Sequence, residues 1–99
     1  RVYIFGNEDN PEVFISSADF MSRNLDSRVE VTCPIYQEDI KKELIETFDI
    51  GWKGNVKARF HSEKLDNKYR MRGNNPVFRA QLETYKYYRD KLEVLTEKV

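Results

Sequence analysis

The sequence predicts an α+β domain, a mixed β-sheet flanked by helices, and three observations carry that reading. Short alternating runs of β-branched and aromatic residues occupy Arg1–Phe5, Glu12–Ser16 and Arg28–Tyr36. Apolar residues recur at helical spacing through Gln37–Ile50 and again from Pro76 to Val99. Gly, Asn, Asp and Pro gather between these runs, where turns need them.

Arg1–Phe5 and Glu12–Ser16 read as strands. The Gly6–Pro11 stretch between them is turn chemistry, so the two form a hairpin. Ala18–Asp26 reads as a short helical turn or loop. In Arg28–Tyr36, Val29, Val31 and Cys33 alternate with Arg28, Glu30 and Thr32, the pattern of a half-buried strand. Pro34 is expected to end its pairing. Ile40, Leu44 and Phe48 define an amphipathic helix whose first turn carries Glu38 and Asp39, where the helix dipole favours acids. Gly51 to Asn55 is expected to close it. Val56–His61 reads as a further strand and Leu65–Asn75 as a polar loop. Pro76 is expected to open a long helix with an apolar stripe of Phe78, Leu82, Tyr85, Tyr88, Leu92, Leu95 and Val99. The late residues of that stripe are more than this chain is expected to cover.

The 99 residues are read as one domain, 1–99. Seventeen basic and seventeen acidic residues cancel, so an anion site must arise from local clustering and not from a global field. No run approaches the roughly 18 apolar residues of a membrane span. The single Cys33 excludes an intrachain disulfide and a cysteine-based zinc site, and a reducing compartment fits. The chain opens at Arg1 inside an apolar alternation, which suggests a piece of a longer protein.

Chemistry concentrates where the second strand releases Ser16-Ser17-Ala18-Asp19 into a turn. Small hydroxyl residues leaving a strand present hydroxyls and backbone N–H groups together, a cradle for anions. Arg23, Asn24 and Arg28 add forked or amide donors suited to phosphate. Asp19 cannot donate to phosphate when ionised; it can orient an arginine or hold a cation.

The order of these residues resembles phospholipase D-like enzymes, which carry His-x-Lys, then Gly-Ser-x-Asn after a strand, then a glutamate on the next strand. Ser17 and Asp19 stand at the Ser and Asn positions, Glu30 at the glutamate, and Arg1 at the lysine. Within that superfamily, Arg1–Phe5 and the block from Val13 through Ser16-Ser17-Ala18-Asp19-Phe20-Met21-Ser22-Arg23-Asn24-Leu25-Asp26 to Val31 are similar to the second catalytic half-domain of polyphosphate kinases. The similarity continues through Val56–Arg59, Asn67–Tyr69, Arg72–Asn74 and Arg79–Gln81. Phe20 departs from the family's usual Trp and Ser22 from its frequent Thr; Thr32-Cys33 replaces smaller residues.

The resemblance implies reversible transfer of the terminal phosphate of ATP to inorganic polyphosphate through a phosphohistidine outside this chain, with Mg²⁺ required. It implies Ser17 as a hydroxyl donor to phosphate and Glu30 as the residue orienting a histidine, both supporting catalysis. Arg1, Arg28, Lys57, Arg59 and Arg72 would line a polyphosphate path, and Asp19 would be a metal ligand if it does not orient an arginine. The implied partners are ATP or ADP, polyphosphate, the remaining domains of the parent chain and further copies of it, with no nucleic acid. The implied location is cytoplasmic, with peripheral membrane association, and the chain alone is expected to be inactive. A phospholipase D-like phosphodiesterase half and a non-catalytic polyphosphate-binding module remain as alternatives. His61, the only histidine, reads as structural or exposed, Cys33 as a core thiol, and Trp52 and Tyr69 as packing or loop anchors.

Overall fold

The computed structural model describes residues 1–98. Its elements run β1 (Val2–Phe5), β2 (Glu12–Ser16), α1 (Ser22–Ser27), β3 (Thr32–Ile35), α2 (Glu38–Lys53) and α3 (Ala80–Glu97). The α+β class is as the sequence predicts. The sheet, however, is antiparallel at both of its junctions, in the order β1-β2-β3, where a mixed sheet was expected. The chain forms two compact units, residues 1–46 and 47–99.

The first unit is built on the sheet. Val2 pairs with Ile15 and Phe5 with Glu12, while Val13 pairs with Ile35 and Ser16 with Thr32. Strand alternation then puts Val2, Ile4, Val13, Ile15, Cys33 and Ile35 on one face and Tyr3, Phe5, Phe14 and Pro34 on the other. Phe5 and Phe14 meet edge to face with ring centres 5.8 Å apart, a diagonal pair across β1 and β2. Val13, on the central strand, is buried at 2% exposure. The hairpin turn is tight. Asn7, Glu8 and Asp9 all take positive φ, and Asn7 closes the loop by donating its side-chain amide to the Asn10 carbonyl.

Three expectations for the third strand fail. It is four residues long, and Val29 and Val31 lie outside it, fully and largely exposed. Cys33 shares the apolar face yet is exposed, so it is not a core thiol. Pro34 sits inside the strand opposite Phe14 and does not end it. An edge strand tolerates this, because its outward N–H positions need no ladder partner.

The second unit contains most of the disagreement. α2 ends at Lys53, inside the Gly51–Asn55 stretch expected to close it, and a base there complements the dipole. Gly54 follows, and a Cβ there would lie 3.2 Å from Ala80 Cβ and 3.3 Å from the Gly51 carbonyl. The close approach of the backbone to Ala80 is what favours glycine. Val56–His61 is not a strand. It makes one antiparallel bridge, Arg59 with Tyr69, flanked by bonds from Phe60 N–H to Lys68 and from Arg70 N–H to Ala58. Leu65 and Asn67 adopt positive φ, which turns the chain too sharply for the pairing to lengthen.

The last helix begins at Ala80, not at Pro76. Asn55 is the cause. Its side-chain N–H donates to the Pro76 carbonyl at 2.8 Å, its side-chain carbonyl accepts from Phe78 N–H at 2.8 Å, and its backbone N–H donates to the Phe78 carbonyl at 3.1 Å. Phe78 thus spends both backbone groups on Asn55, and the segment stays extended through Arg79 at φ −92° and ψ 105°. Of the expected stripe, Leu82, Tyr85, Tyr88, Leu92 and Leu95 lie on α3 and are exposed, Phe78 precedes it, and Val99 lies outside the described residues.

Candidate functional site

The turn after β2 is tied down atom by atom. Ser16, at 9% exposure, accepts from Ala18 N–H through its hydroxyl at 3.2 Å and shares a 3.0 Å hydrogen bond with the Thr32 hydroxyl. Ala18 is buried at 4%. The carbonyls of the turn are all taken. Ser17 accepts from an Arg1 guanidinium N–H at 3.3 Å, Ala18 from the Tyr3 hydroxyl at 3.4 Å, and Asp19 from Met21 N–H and the Asn24 side chain. Arg1 is held by the sheet as well: its N–H donates to the Ser16 carbonyl at 2.8 Å, and its carbonyl accepts from Ser16 N–H at 2.9 Å.

Two charged groups are fixed by this turn. The Arg1 guanidinium forms an ion pair with Asp19 Oδ1 while reaching the Ser17 carbonyl. On the other side, the Ser17 hydroxyl donates to Glu30 Oε2 at 2.5 Å and accepts from Val31 N–H at 3.2 Å, and Ser17 N–H donates to the Val31 carbonyl at 3.1 Å. Because the Ser17 carbonyl is turned to Arg1, Val31 is paired by the Ser17 side chain and not by its backbone oxygen. That switch explains why regular β3 starts only at Thr32. Three residues of one turn therefore set a cation and a carboxylate in place.

The structure thus gathers Arg1, Ser17, Asp19 and Glu30 in the first unit, with Arg28 in the same unit at the end of α1. Lys57, Arg59 and Arg72 belong to the second. Arg59 stacks over the Tyr69 ring at 3.6 Å, bonds the Tyr69 hydroxyl and donates to the Asn67 carbonyl at 2.7 Å. Arg72 donates to the Asn75 carbonyl at 3.2 Å, and Arg70 to the Trp52 carbonyl. These arginines brace loops as well as carrying charge. Lys57 and Arg28 make no side-chain hydrogen bond or ion pair among the described residues.

The contacts bear on three of the residues singled out in the sequence. The Ser17 hydroxyl donates its proton to Glu30 Oε2. Asn24 is buried at 3% exposure and donates its side-chain amide to the Asp19 carbonyl, which holds the turn. Of the two roles left open for Asp19, its carboxylate takes the one on Arg1. For magnesium, the donor set of this chain does not fit: Asp19 is a single carboxylate already paired with a cation, and no cluster of three or more His, Cys, Asp or Glu able to hold a metal exists among the described residues. Tyr3 was missed. The signal was present, since Arg1 and Tyr3 alternate onto one side of the strand and both reach the turn. His61 is exposed, as the sequence suggests.

A sequence model described as polyphosphate kinase C-terminal domain 2 matches residues 1–81. The chain is 45% identical over 87 residues to a polyphosphate kinase of Salmonella typhimurium, and 42% identical over 90 residues to one of Vibrio cholerae. These matches cover 88% and 91% of this chain and 13% of each relative. The fold is similar to the crystal structure of a polyphosphate kinase from Porphyromonas gingivalis, at a TM-score of 0.91 and 37% identity, covering 95% of this chain and 14% of that one. The chain therefore spans about one eighth of the length of the relatives it matches.

Proposed function

The chain belongs to the polyphosphate kinase C-terminal domain family, and from that premise we propose that it supplies one side of a phosphoryl-transfer site in a larger kinase acting on ATP and inorganic polyphosphate. The observation that carries the reading is the pairing of Arg1 with Asp19 and of Glu30 with Ser17 about a single rigid turn. Phosphoryl transfer asks for positioning and charge neutralisation, and a fixed cation beside a fixed carboxylate provides both.

In the proposed reaction, the bond between the γ-phosphorus of ATP and its bridging oxygen breaks as a phosphorus–nitrogen bond forms on a histidine outside this chain. ADP leaves with the bridging oxygen. The terminal oxygen of the polyphosphate then takes the phosphoryl group and returns the free imidazole; the reverse sequence makes ATP. Glu30 orients the imidazole and steadies the positive charge the ring gains. Arg1, directed by Asp19, neutralises the transferring group. Magnesium would supply further neutralisation of phosphate charge, and no residue of this chain is assigned to hold it. Arg28, Lys57, Arg59 and Arg72 offer positive charge along the polyphosphate. ATP as the phosphoryl donor favours a cytoplasmic site of action. No helix among the described residues is long and apolar enough to cross a membrane. The phosphodiesterase alternative is disfavoured by Asp19, which replaces a donor with an acceptor.

In the full-length enzyme, Glu30→Gln keeps the size of the side chain and removes its charge. Turnover in ATP-dependent polyphosphate synthesis should fall roughly tenfold to a hundredfold, the range for one lost charge-assisted contact in a transition state. An unchanged turnover number would remove Glu30 from the site.

A further inference from the structure

We infer that Ser17 is a positioning residue for Glu30 and not a phosphate ligand; the inference rests on the proposed role of Glu30. A serine hydroxyl has one proton to donate and two lone pairs to accept with. Here the hydroxyl donates its proton to Glu30 Oε2, 2.5 Å away, and one lone pair accepts from Val31 N–H at 3.2 Å. Phosphate oxygens at neutral pH are acceptors. Ser17 therefore has nothing left to offer a phosphate while its bond to the carboxylate stands.

The same bonds define what Ser17 does. Glu30 projects from an extended stretch between the exposed Arg28 and Val29 and the start of β3, where its side chain would otherwise sample several rotamers. Ser17 is itself held by its N–H on the Val31 carbonyl, by its carbonyl under Arg1, and by the Ser16–Thr32 contact beside it. A short hydrogen bond from so constrained a donor fixes one carboxylate oxygen. The other oxygen, Oε1, makes no hydrogen bond among the described residues and is left for a partner. Fixing one oxygen of a carboxylate so that the second is aimed is how an orienting acid is itself oriented.

The test is a kinetic cycle in the full-length enzyme with ATP and polyphosphate: Ser17→Ala, Ser17→Thr, Glu30→Gln, and the double variant Ser17→Ala/Glu30→Gln. Ser17→Ala should lower kcat roughly tenfold with little change in either KM, because a lost charge-assisted hydrogen bond of this kind is a transition-state effect here. Ser17→Thr keeps the hydroxyl and should restore most of the rate. The double variant should be no slower than Glu30→Gln alone, since Ser17 acts only through the carboxylate. If Ser17→Ala raises the polyphosphate or ATP KM at constant kcat, Ser17 touches substrate and the inference is overturned. Independent, multiplying losses in the double variant overturn it equally. If Glu30→Gln alone has no effect, the proposed site fails and the inference falls with it, a result distinct from the other two. Should the alanine variant lose its fold on thermal unfolding, Ser17→Cys, similar in size and a weak donor, carries the same comparison.

Discussion

Asp19 and Arg1 show how a residue-scale contact can matter for direction more than for stability. Both side chains are about half exposed, so their ion pair contributes only roughly 0.2–1 kcal/mol to the fold. Its effect is to aim a guanidinium that also donates to the Ser17 carbonyl. In the parent enzyme, Asp19→Ala should therefore lower kcat roughly twofold to fivefold, the loss expected when one exposed ion pair no longer aims Arg1. Asp19→Asn, whose carbonyl still accepts from Arg1, should do less. Adding Asp19→Ala to Arg1→Ala should cost nothing further. Steady-state kinetics on the four proteins checks this, and a loss from Asp19→Ala that survives in the Arg1→Ala background would assign Asp19 a second partner. Much of this was legible in the sequence. Ser17 and Asp19 draw notice where they leave the strand, and the family resemblance groups them with Glu30 and Arg1. The destination of the Ser17 proton was not legible, because spacing along a chain does not say which of two acceptors a hydroxyl will face.

The elements divide along a physical line. β1 and β2 match their expected ranges closely because alternation, a turn-rich connection and mutual pairing all agree. The errors occur where one side chain overrides local propensity. Pro76 is a good first residue for a helix, yet Asn55 binds Pro76 and Phe78 and delays α3 to Ala80. An asparagine acting twenty-odd residues away leaves no periodic trace in the sequence. The consequence is measurable. Asn55→Ala removes both side-chain bonds and should lower the local opening free energy around Phe78 by about 1–2 kcal/mol. Hydrogen–deuterium exchange of a peptide covering residues 76–79 should then speed up about tenfold, with exchange in β2 unchanged. Equal exchange in the variant and the parent would mean that the clamp carries no weight in holding the segment extended. The same reasoning covers β3, which shortens because Ser17 turns its carbonyl toward Arg1.

At the scale of the whole molecule the governing fact is charge balance. With seventeen bases against seventeen acids, no long-range field draws a polyanion to this chain, so affinity must come from counted contacts. The structure separates the basic residues of interest into two kinds. Arg59 and Arg72 spend donors on loop carbonyls, whereas Arg28 and Lys57 have no side-chain partner among the described residues. The free pair should contribute to polyphosphate binding through counterion release. For a flexible polyanion each such contact steepens the dependence of log affinity on log salt by about 0.7. Titrating the 99-residue chain with long-chain polyphosphate at rising salt should give a slope of about −1.4 if these two dominate. Arg28→Ala and Lys57→Ala should each shallow the slope by about half, and Arg59→Ala should chiefly perturb the loop around Tyr69. Incubating the same chain with γ-labelled ATP should leave it unlabelled, since the phosphoryl acceptor is proposed to lie elsewhere. Absent binding at low salt would deny this chain any share of the polyphosphate path, and stable label on it would move the acceptor to His61, the only histidine it has.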